Sequence, residues 1–427
     1  MKTTMKCPRS WLGALCGVLA AAFWEPACRG LDIPGADGSD GVFAPTQNVE
    51  IDLGEAPSGT WNGPNSNPGK GVYDPEKWAV VFRFASVNVP ANVTVTFKNN
   101  ASRAPVVWLV AGDVVVSGTV DVSSRDLEGT DGLRLGEPGP GGFRGAGLGD
   151  SIAGVVAQDG TGFGPGGGFG DYETSAPGFE PRFGAYGFDD RPAFAGRTYG
   201  NDQILPLIGG SGAGSSPLFR RAGGGGGAIL IAATGSVMVD GAIRASGYLT
   251  QGGLAGSGGG IRIVSEVLGG GGTVDAAGAF AGANRFRGGL GRVRLENRAH
   301  TGTLVTIPPV LPVPPDSPVL LWPPADAPSA RIVSIGGRDV PADPKAGLVG
   351  SPGADLTFEG AGDREVLIET LNVPDSGRVR LRITPLLGYA RWLDATLVSR
   401  DGARATWRVS TTLGVGMATM LVRADTR

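Results

Sequence analysis

The residues of this chain whose types and spacing suit chemistry are few, and most are carboxylates. Asp171, Glu173, Asp189 and Asp190 share one stretch with Phe169, Tyr172, Phe179, Phe183, Tyr186 and Phe188. Two carboxyl groups held at a defined separation can act as acid and base on a glycosidic bond, and aromatic rings can stack on sugars. This stretch is therefore where a polysaccharide-active lyase or hydrolase would keep its catalytic acids. Solvated loop acids are the plainer account of the same four residues. Asp37 and Asp40, in the run GADGSDG, resemble fragments of a calcium loop. That cation needs six to eight oxygen ligands, the full loop spacing is missing, and turn-forming Asp and Gly explain the run equally. Arg378, Arg380 and Arg382 alternate with Val379, Leu381 and Ile383. On a strand they form an arginine ladder, which Arg404 and Arg408 extend, and their forks could grip an anionic polysaccharide. Residues 331–427 hold 13 basic against 11 acidic side chains, so a mixed, solvated face is the competing account.

Other chemistries find little support. His300 is the only histidine and the cysteines are Cys7, Cys16 and Cys28, which leaves no zinc set, no disulfide framework and no Ser-His-Asp arrangement. Gly162, Gly164 and Gly167 satisfy GxGxxG, but the strand before and helix after that a dinucleotide site requires are absent from the pattern. With no phosphate-loop lysine either, no cofactor is expected apart from the calcium considered at Asp37 and Asp40.

The elements that must position these residues are unusual in composition. Glycine supplies 75 of 427 residues, about 18% against roughly 7% in average usage, and there are 32 prolines. An ordinary helical enzyme is excluded. Yet 41% of residues are hydrophobic and 18% charged, so a disordered chain is excluded as well. The formal charge of −3 provides no electrostatic case for nucleic acid.

Lys2, Lys6 and Arg9 precede an apolar run over 11–24, the pattern of a secretory signal peptide, which we place at residues 1–27. Small residues at Ala20 and Ala22 fit cleavage after Ala22, and Ala27 is a second candidate with the less suitable Glu25 three positions before the cut. Cys28 raises lipidation, although Glu25-Pro26-Ala27 lacks the usual aliphatic residue. No later stretch is apolar for long enough to give a transmembrane helix.

An N-terminal β module is expected over 28–104, where Val93, Val95 and Phe97 alternate with Thr94, Thr96 and Lys98. A repetitive β body follows over 105–307. Placing Val106 on Ile229 puts Gly112 on Gly235 and Gly118 on Gly241, and the run starts Ile229, Ile261 and Val293 are 32 residues apart. Short β runs punctuated by glycine predict stacked coils that share a core, with glycine supplying positive φ at the corners. A β-sandwich with glycine-rich loops is the alternative. Residues 125–222 read as an insertion, with 26 glycines, 11 aromatics and no lysine, expected to pack back onto the coils. A proline-rich linker spans 308–329, and alternating runs over 330–427 predict a small antiparallel sandwich.

The runs APVVWLVAGDVVVSGTV, YGNDQILPLIGGSGAGSS, GGGGGAILIAATGSVMVDGAIRASG and GGLGRVRLE, behind LDIPGADGSDGVFAPT, resemble glycine-rich exported proteins of environmental bacteria, of planctomycete or verrucomicrobial type. The likeness covers about 31–306. It implies an extracytoplasmic location and a glycine-cornered β body, and it brings no assigned activity and no catalytic residue.

The fold class read from sequence is thus all-β: a glycine-cornered, solenoid-like stack of coils with a glycine- and aromatic-rich insertion and a C-terminal sandwich. The function expected is that of an exported, noncatalytic structural or adhesive surface or envelope protein, with polysaccharide or envelope components as partners. A polysaccharide-active enzyme and a carbohydrate-binding protein without turnover are the alternatives.

Overall fold

The computed structural model describes residues 30–58, 71–125, 136–146, 160–168, 184–187, 196–215, 222–250, 254–281, 286–345, 353–386 and 388–426. Residues 1–29, with the segment read as a signal peptide and all three cysteines, lie outside them, as do Asp171, Glu173, Asp189 and Asp190. In chain order the body contains β1 (Gly41–Phe43), β2 (Val49–Asp52), β3 (Val72–Asp74), β4 (Ala79–Val89), β5 (Thr94–Lys98), β6 (Val106–Val110), β7 (Val114–Val116), β8 (Thr119–Asp121), β9 (Ala228–Ala233), β10 (Ser236–Val239), β11 (Ala242–Arg244), β12 (Gly260–Gly269), β13 (Thr273–Asp275), β14 (Phe280–Ala281), β15 (Phe286–Arg287), β16 (Arg292–His300) and β17 (Val305–Ile307). Among the described residues the only helical segment is a short 3-10 turn, Leu53–Ser58.

The strands form where alternation or full burial demands them. In β5, Val95 and Phe97 face inward while Thr94, Thr96 and Lys98 face out, the half-buried pattern expected from their types. All five residues of β6 are buried, because both of its faces are covered. Trp108 points into the main core, edge-on to Phe84 at 5.7 Å between ring centroids. Val107 and Leu109 lie on the opposite face, in a second cluster completed by Val319 and Leu321. The proline-rich segment thus straps the outside of the body.

β2, β5, β8, β11, β13 and β17 pair side by side in one wholly parallel sheet. The larger nine-stranded sheet is parallel except where β3 meets β4. β4 and β12 run through a bend and pair twice each, β4 with β6 and then β7, and β12 with β9 and then β10. The positions aligned in the sequence are paired positions: Val106 with Ile229, Ile229 with Ile261, and Ile261 with Val293.

The expected glycine-cornered stack of coils ending in a sandwich is nevertheless corrected. The chain builds a parallel barrel-like enclosure, with six parallel strands on one wall and the bent parallel sheet around the rest, about one apolar core. β1 to β5 belong to these same sheets and contribute Phe43, Phe84 and Phe97 to that core. The corner glycines Gly118 and Gly241 are not needed for positive φ. A Cβ on Gly118 would stand 2.2 Å from the Val93 carbonyl oxygen and one on Gly241 1.9 Å from that of Gly118, so close approach of backbones selects them.

The C-terminal part contains β18 (Ser329–Ile335), β19 (Arg338–Asp339), β20 (Gly362–Leu371), β21 (Arg378–Pro385), β22 (Arg391–Asp394), β23 (Thr396–Asp401), β24 (Arg404–Leu413) and β25 (Ala418–Asp425). Two antiparallel sheets, ordered β19-β18-β20-β24-β23 and β22-β21-β25, enclose a third core of Val366, Ile368, Leu381 and Trp407.

Candidate functional site

Of the residues singled out by type, those the structure describes are occupied with structural contacts, while Asp171, Glu173, Asp189 and Asp190 lie outside the described residues. Asp37 accepts the Ser39 amide at 2.9 Å, and hydrogen bonds from the Ser39 hydroxyl first and then from that amide hold its carboxyl below the usual value. Asp40 accepts the Arg83 amide at 2.6 Å and pins the register of β4. Neither joins a metal-like cluster, and no group of three or more His, Cys, Asp or Glu side chains converges among the described residues. Arg378 forks onto Asp394 at 2.7 and 3.0 Å. Arg380 pairs with Asp425 at 2.8 Å and lies over the Trp392 ring at 5.2 Å. Arg382 is 1% exposed. The three therefore do not form one open anionic-ligand patch. His300 is exposed at the end of β16.

What the residue-type search passed over is a layer built from backbone alone. Gly136, Gly139, Gly142 and Gly145 are spaced by three, as are Gly209 with Gly212, Gly223 with Gly226, Gly256 with Gly259, and Gly288 with Gly291. Apart from turns such as that closed by the Gly142 amide on the Gly139 carbonyl, the bonds run between segments: Phe143 to Gly210, Gly210 to Gly226, Gly226 to Ser257, Gly258 to Gly289 and Gly289 to Gly184, all N–H to O=C at 2.8–2.9 Å. Glycine sits on glycine at the repeat offset. A Cβ on Gly259 would stand 1.8 Å from the Gly227 oxygen, and one on Gly291 2.0 Å from the Gly259 oxygen. The described parts of 125–222 belong to this layer. Tyr199 and Ser211 are buried within it; the Ser211 hydroxyl donates to Tyr199 Oη at 3.0 Å and Tyr199 donates to the Gly209 carbonyl at 2.5 Å. Burial drives the Tyr199 phenol well above its ordinary pKa.

The layer joins the two parts of the chain. Arg382 Nη2 donates to the Gly162 carbonyl at 3.0 Å, the Ala390 amide donates to the Thr161 hydroxyl at 2.9 Å, and Phe163 packs with Leu386 and Met417. A second seam lies elsewhere, where Tyr73 donates to Asp343 at 2.6 Å and Ser102 to the same oxygen at 3.2 Å. Burial, and then the bond to Asp343, raise the Tyr73 pKa to about 12.

The terminal part is closed on one flank, where β22 continues into β23 and the Ala395 amide donates to Val379. The other flank opens into a cleft of about 1180 Å³ between β18 and β25. Ile332, Ile335, Ile383, Met420 and Val422 line its interior, and Tyr389 and Val415 stand at its mouth, 54% and 88% exposed. Its charged lining is Arg331, Lys345, Arg364 and Arg391 against Asp339 and Asp355, four cations to two anions. Arg364 lies over the Phe358 ring at 5.2 Å. No sequence signal marks the cleft, since its apolar residues read as ordinary strand interior.

Compared with protein-family models, with curated proteins and with solved structures, the chain gives no match. Among the described residues no helix is long and apolar enough to cross a membrane.

Proposed function

We propose that the protein is an exported, noncatalytic structural or adhesive component of the bacterial surface, a stiff body that carries a terminal contact unit. The observation that carries this reading is the cross-bonded glycine layer. It ties the described parts of 125–222 to the body by backbone hydrogen bonds, and it docks the terminal unit to the body through Arg382 and Thr161. Support for export comes from the signal-like start and from the resemblance to glycine-rich exported proteins of environmental bacteria. A stiff spacer suits adhesion because a contact unit fixed in orientation loses less freedom on binding.

The test uses intact cells of the native host. External protease removes the protein while cytoplasmic markers survive, and deletion of its gene lowers attachment to neighbouring cells or envelope material, with restoration on complementation. Retention inside the cell overturns the reading. So does release of reducing ends or unsaturated products when the purified protein meets a panel of bacterial and algal polysaccharides, provided that Asp171→Ala or Asp189→Ala abolishes it.

A further inference from the structure

We propose that the seam between the terminal sheets and the glycine layer holds a small monovalent anion, of the chloride class, against the guanidinium of Arg382. Three observations point to it. First, the group is buried and only partly bonded. Arg382 is 1% exposed, and its bonds to the Gly162 and Gly167 carbonyls, at 3.0 and 3.5 Å, both start from Nη2. Nε and Nη1, the other corners of the planar fork, have no hydrogen-bond partner among the described residues. Buried donors are ordinarily satisfied by protein, water or an ion.

Second, the charge has no counter-charge. Alternation along β21 puts Arg378, Arg380 and Arg382 on one face, beside Trp392 and Asp394 of β22 and Leu421, Arg423 and Asp425 of β25. On that face Asp394 takes Arg378, and Asp425 takes both Arg380 and Arg423. Four cations meet two anions, and the cation left over is the one sealed from water. From the glycine layer Arg382 faces the two carbonyls and the neutral phenol of Tyr199.

Third, arginine cannot escape by giving up its proton. Burial lowers the Arg382 pKa only to about 10, so the charge persists at neutral pH, and a buried charge without compensation is costly. One buried positive charge is balanced by one negative charge. A divalent oxyanion would reverse the sign and would itself cost more to desolvate.

The inference concerns the dock itself and stands whether or not the protein is an adhesin. The probe is halide added to the purified full chain at neutral pH and constant ionic strength. Replacing sodium gluconate by about 100 mM sodium chloride should slow amide exchange of Gly162, Gly167 and Gly168 at least fivefold, since a ligand bound only to the docked state favours it by mass action. Exchange in β9 and β12 should not change. Arg382→Met should abolish the dependence, and Arg391→Met, on the opposite face of the strand pair, should keep it. Crystals grown in sodium bromide should show an anomalous peak beside Nε or Nη1. Exchange indifferent to halide overturns the inference, whether the crystals show water at the guanidinium or a bromide, which is then an adventitious ion only. Equal slowing by sulfate marks general salting and overturns it too, as does halide-dependent exchange with no bromide at Arg382. If Arg382→Met fails to fold, the halide dependence of the parent and the bromide map decide between the same outcomes.

Discussion

Arg382 Nη2 and the carbonyl oxygen of Gly162 meet at 3.0 Å across 220 residues of chain. The guanidinium is 1% exposed, with Trp392 at 5.9 Å on its flank, and Nε and Nη1 have no hydrogen-bond partner among the described residues. Desolvation lowers its pKa to about 10. Nη2 alone, bonded to the Gly162 carbonyl and more loosely to that of Gly167 at 3.5 Å, thus compensates a buried charge at the seam between the terminal sheets and the glycine layer.

Arg382→Met keeps the stem and removes both the charge and the bond. The lost hydrogen bond and the relieved desolvation oppose each other, so overall stability should move by only about 1 kcal/mol. The seam itself should loosen. Amide exchange of Gly162, Gly167 and Gly168 should accelerate about tenfold, the equivalent of 1.4 kcal/mol of local opening. Unchanged exchange there would show that Thr161 and Phe163 hold the seam alone.

Gly259→Ala should be among the most damaging single methyl additions in the body. Its Cβ would lie 1.8 Å from the Gly227 oxygen, and the obstacle is backbone that cannot swing aside. A loss of about 3 kcal/mol is expected, measured by denaturant unfolding. Gly271→Ala, with nothing within 4 Å of its Cβ, serves as the control and should change stability by less than about 0.5 kcal/mol. Equal effects at the two sites would refute the close-packed layer.

Arg262 and Glu296, 1% and 0% exposed at their side chains, pair at 2.8 Å under the proline-rich strap, where Arg262 also donates to the Leu320 carbonyl at 2.7 Å. Glu296→Leu alone leaves two arginines, Arg262 and Arg294, without their shared carboxylate. It should cost about 3–5 kcal/mol, whereas the double variant Arg262→Met with Glu296→Leu should cost clearly less. Additive losses in the double-mutant cycle would count against this account.

Glu137 lies between Arg103 at 3.0 Å and Arg144 at 2.8 Å. Burial pushes its carboxyl upward, but the two guanidiniums outweigh burial and hold it below its ordinary 4.5. A folded-state value below the unfolded one contributes stability above pH 4.5 that is lost as pH falls through the folded value. Glu137→Gln should therefore be less stable than the parent at neutral pH, and the gap should narrow on acidification below 4.5. A constant gap across that range would place the effect elsewhere.

Much of the body was legible because its signal is carried by side chains. Ile229, Ile261 and Val293 announce their pairing by spacing, and Val95 and Phe97 announce their inward face by alternation. The enclosure was not, because β4 and β12 pass through the bend without punctuation. The glycine layer was hidden for a different reason. Glycine has no side chain to place on a face, so the three-residue spacing from Gly136 to Gly145 looked like composition rather than geometry. Arg382 follows the same alternation as Arg378 and Arg380; only the arrival of Gly162 from a distant segment distinguishes a buried dock from a wet ladder. The acids from Asp171 to Asp190 lie outside the described residues.

The offset of 32 that sets Gly259 on Gly227 and Gly291 on Gly259 also constrains how this gene can change length. Duplicating or excising a whole unit between these rows keeps glycine at the positions of Gly227, Gly259 and Gly291 and returns the strands there to equivalent neighbours. Removing a single residue inside a glycine row brings side chains into rows that admit none and flips the strand faces beyond it, whereas the turn before β10 already absorbs one, since the pairing offset falls from 32 at Ala232 with Val264 to 31 at Ser236 with Val267. Growth by entire units, with single-residue changes confined to such turns, is the variation in length such a body tolerates.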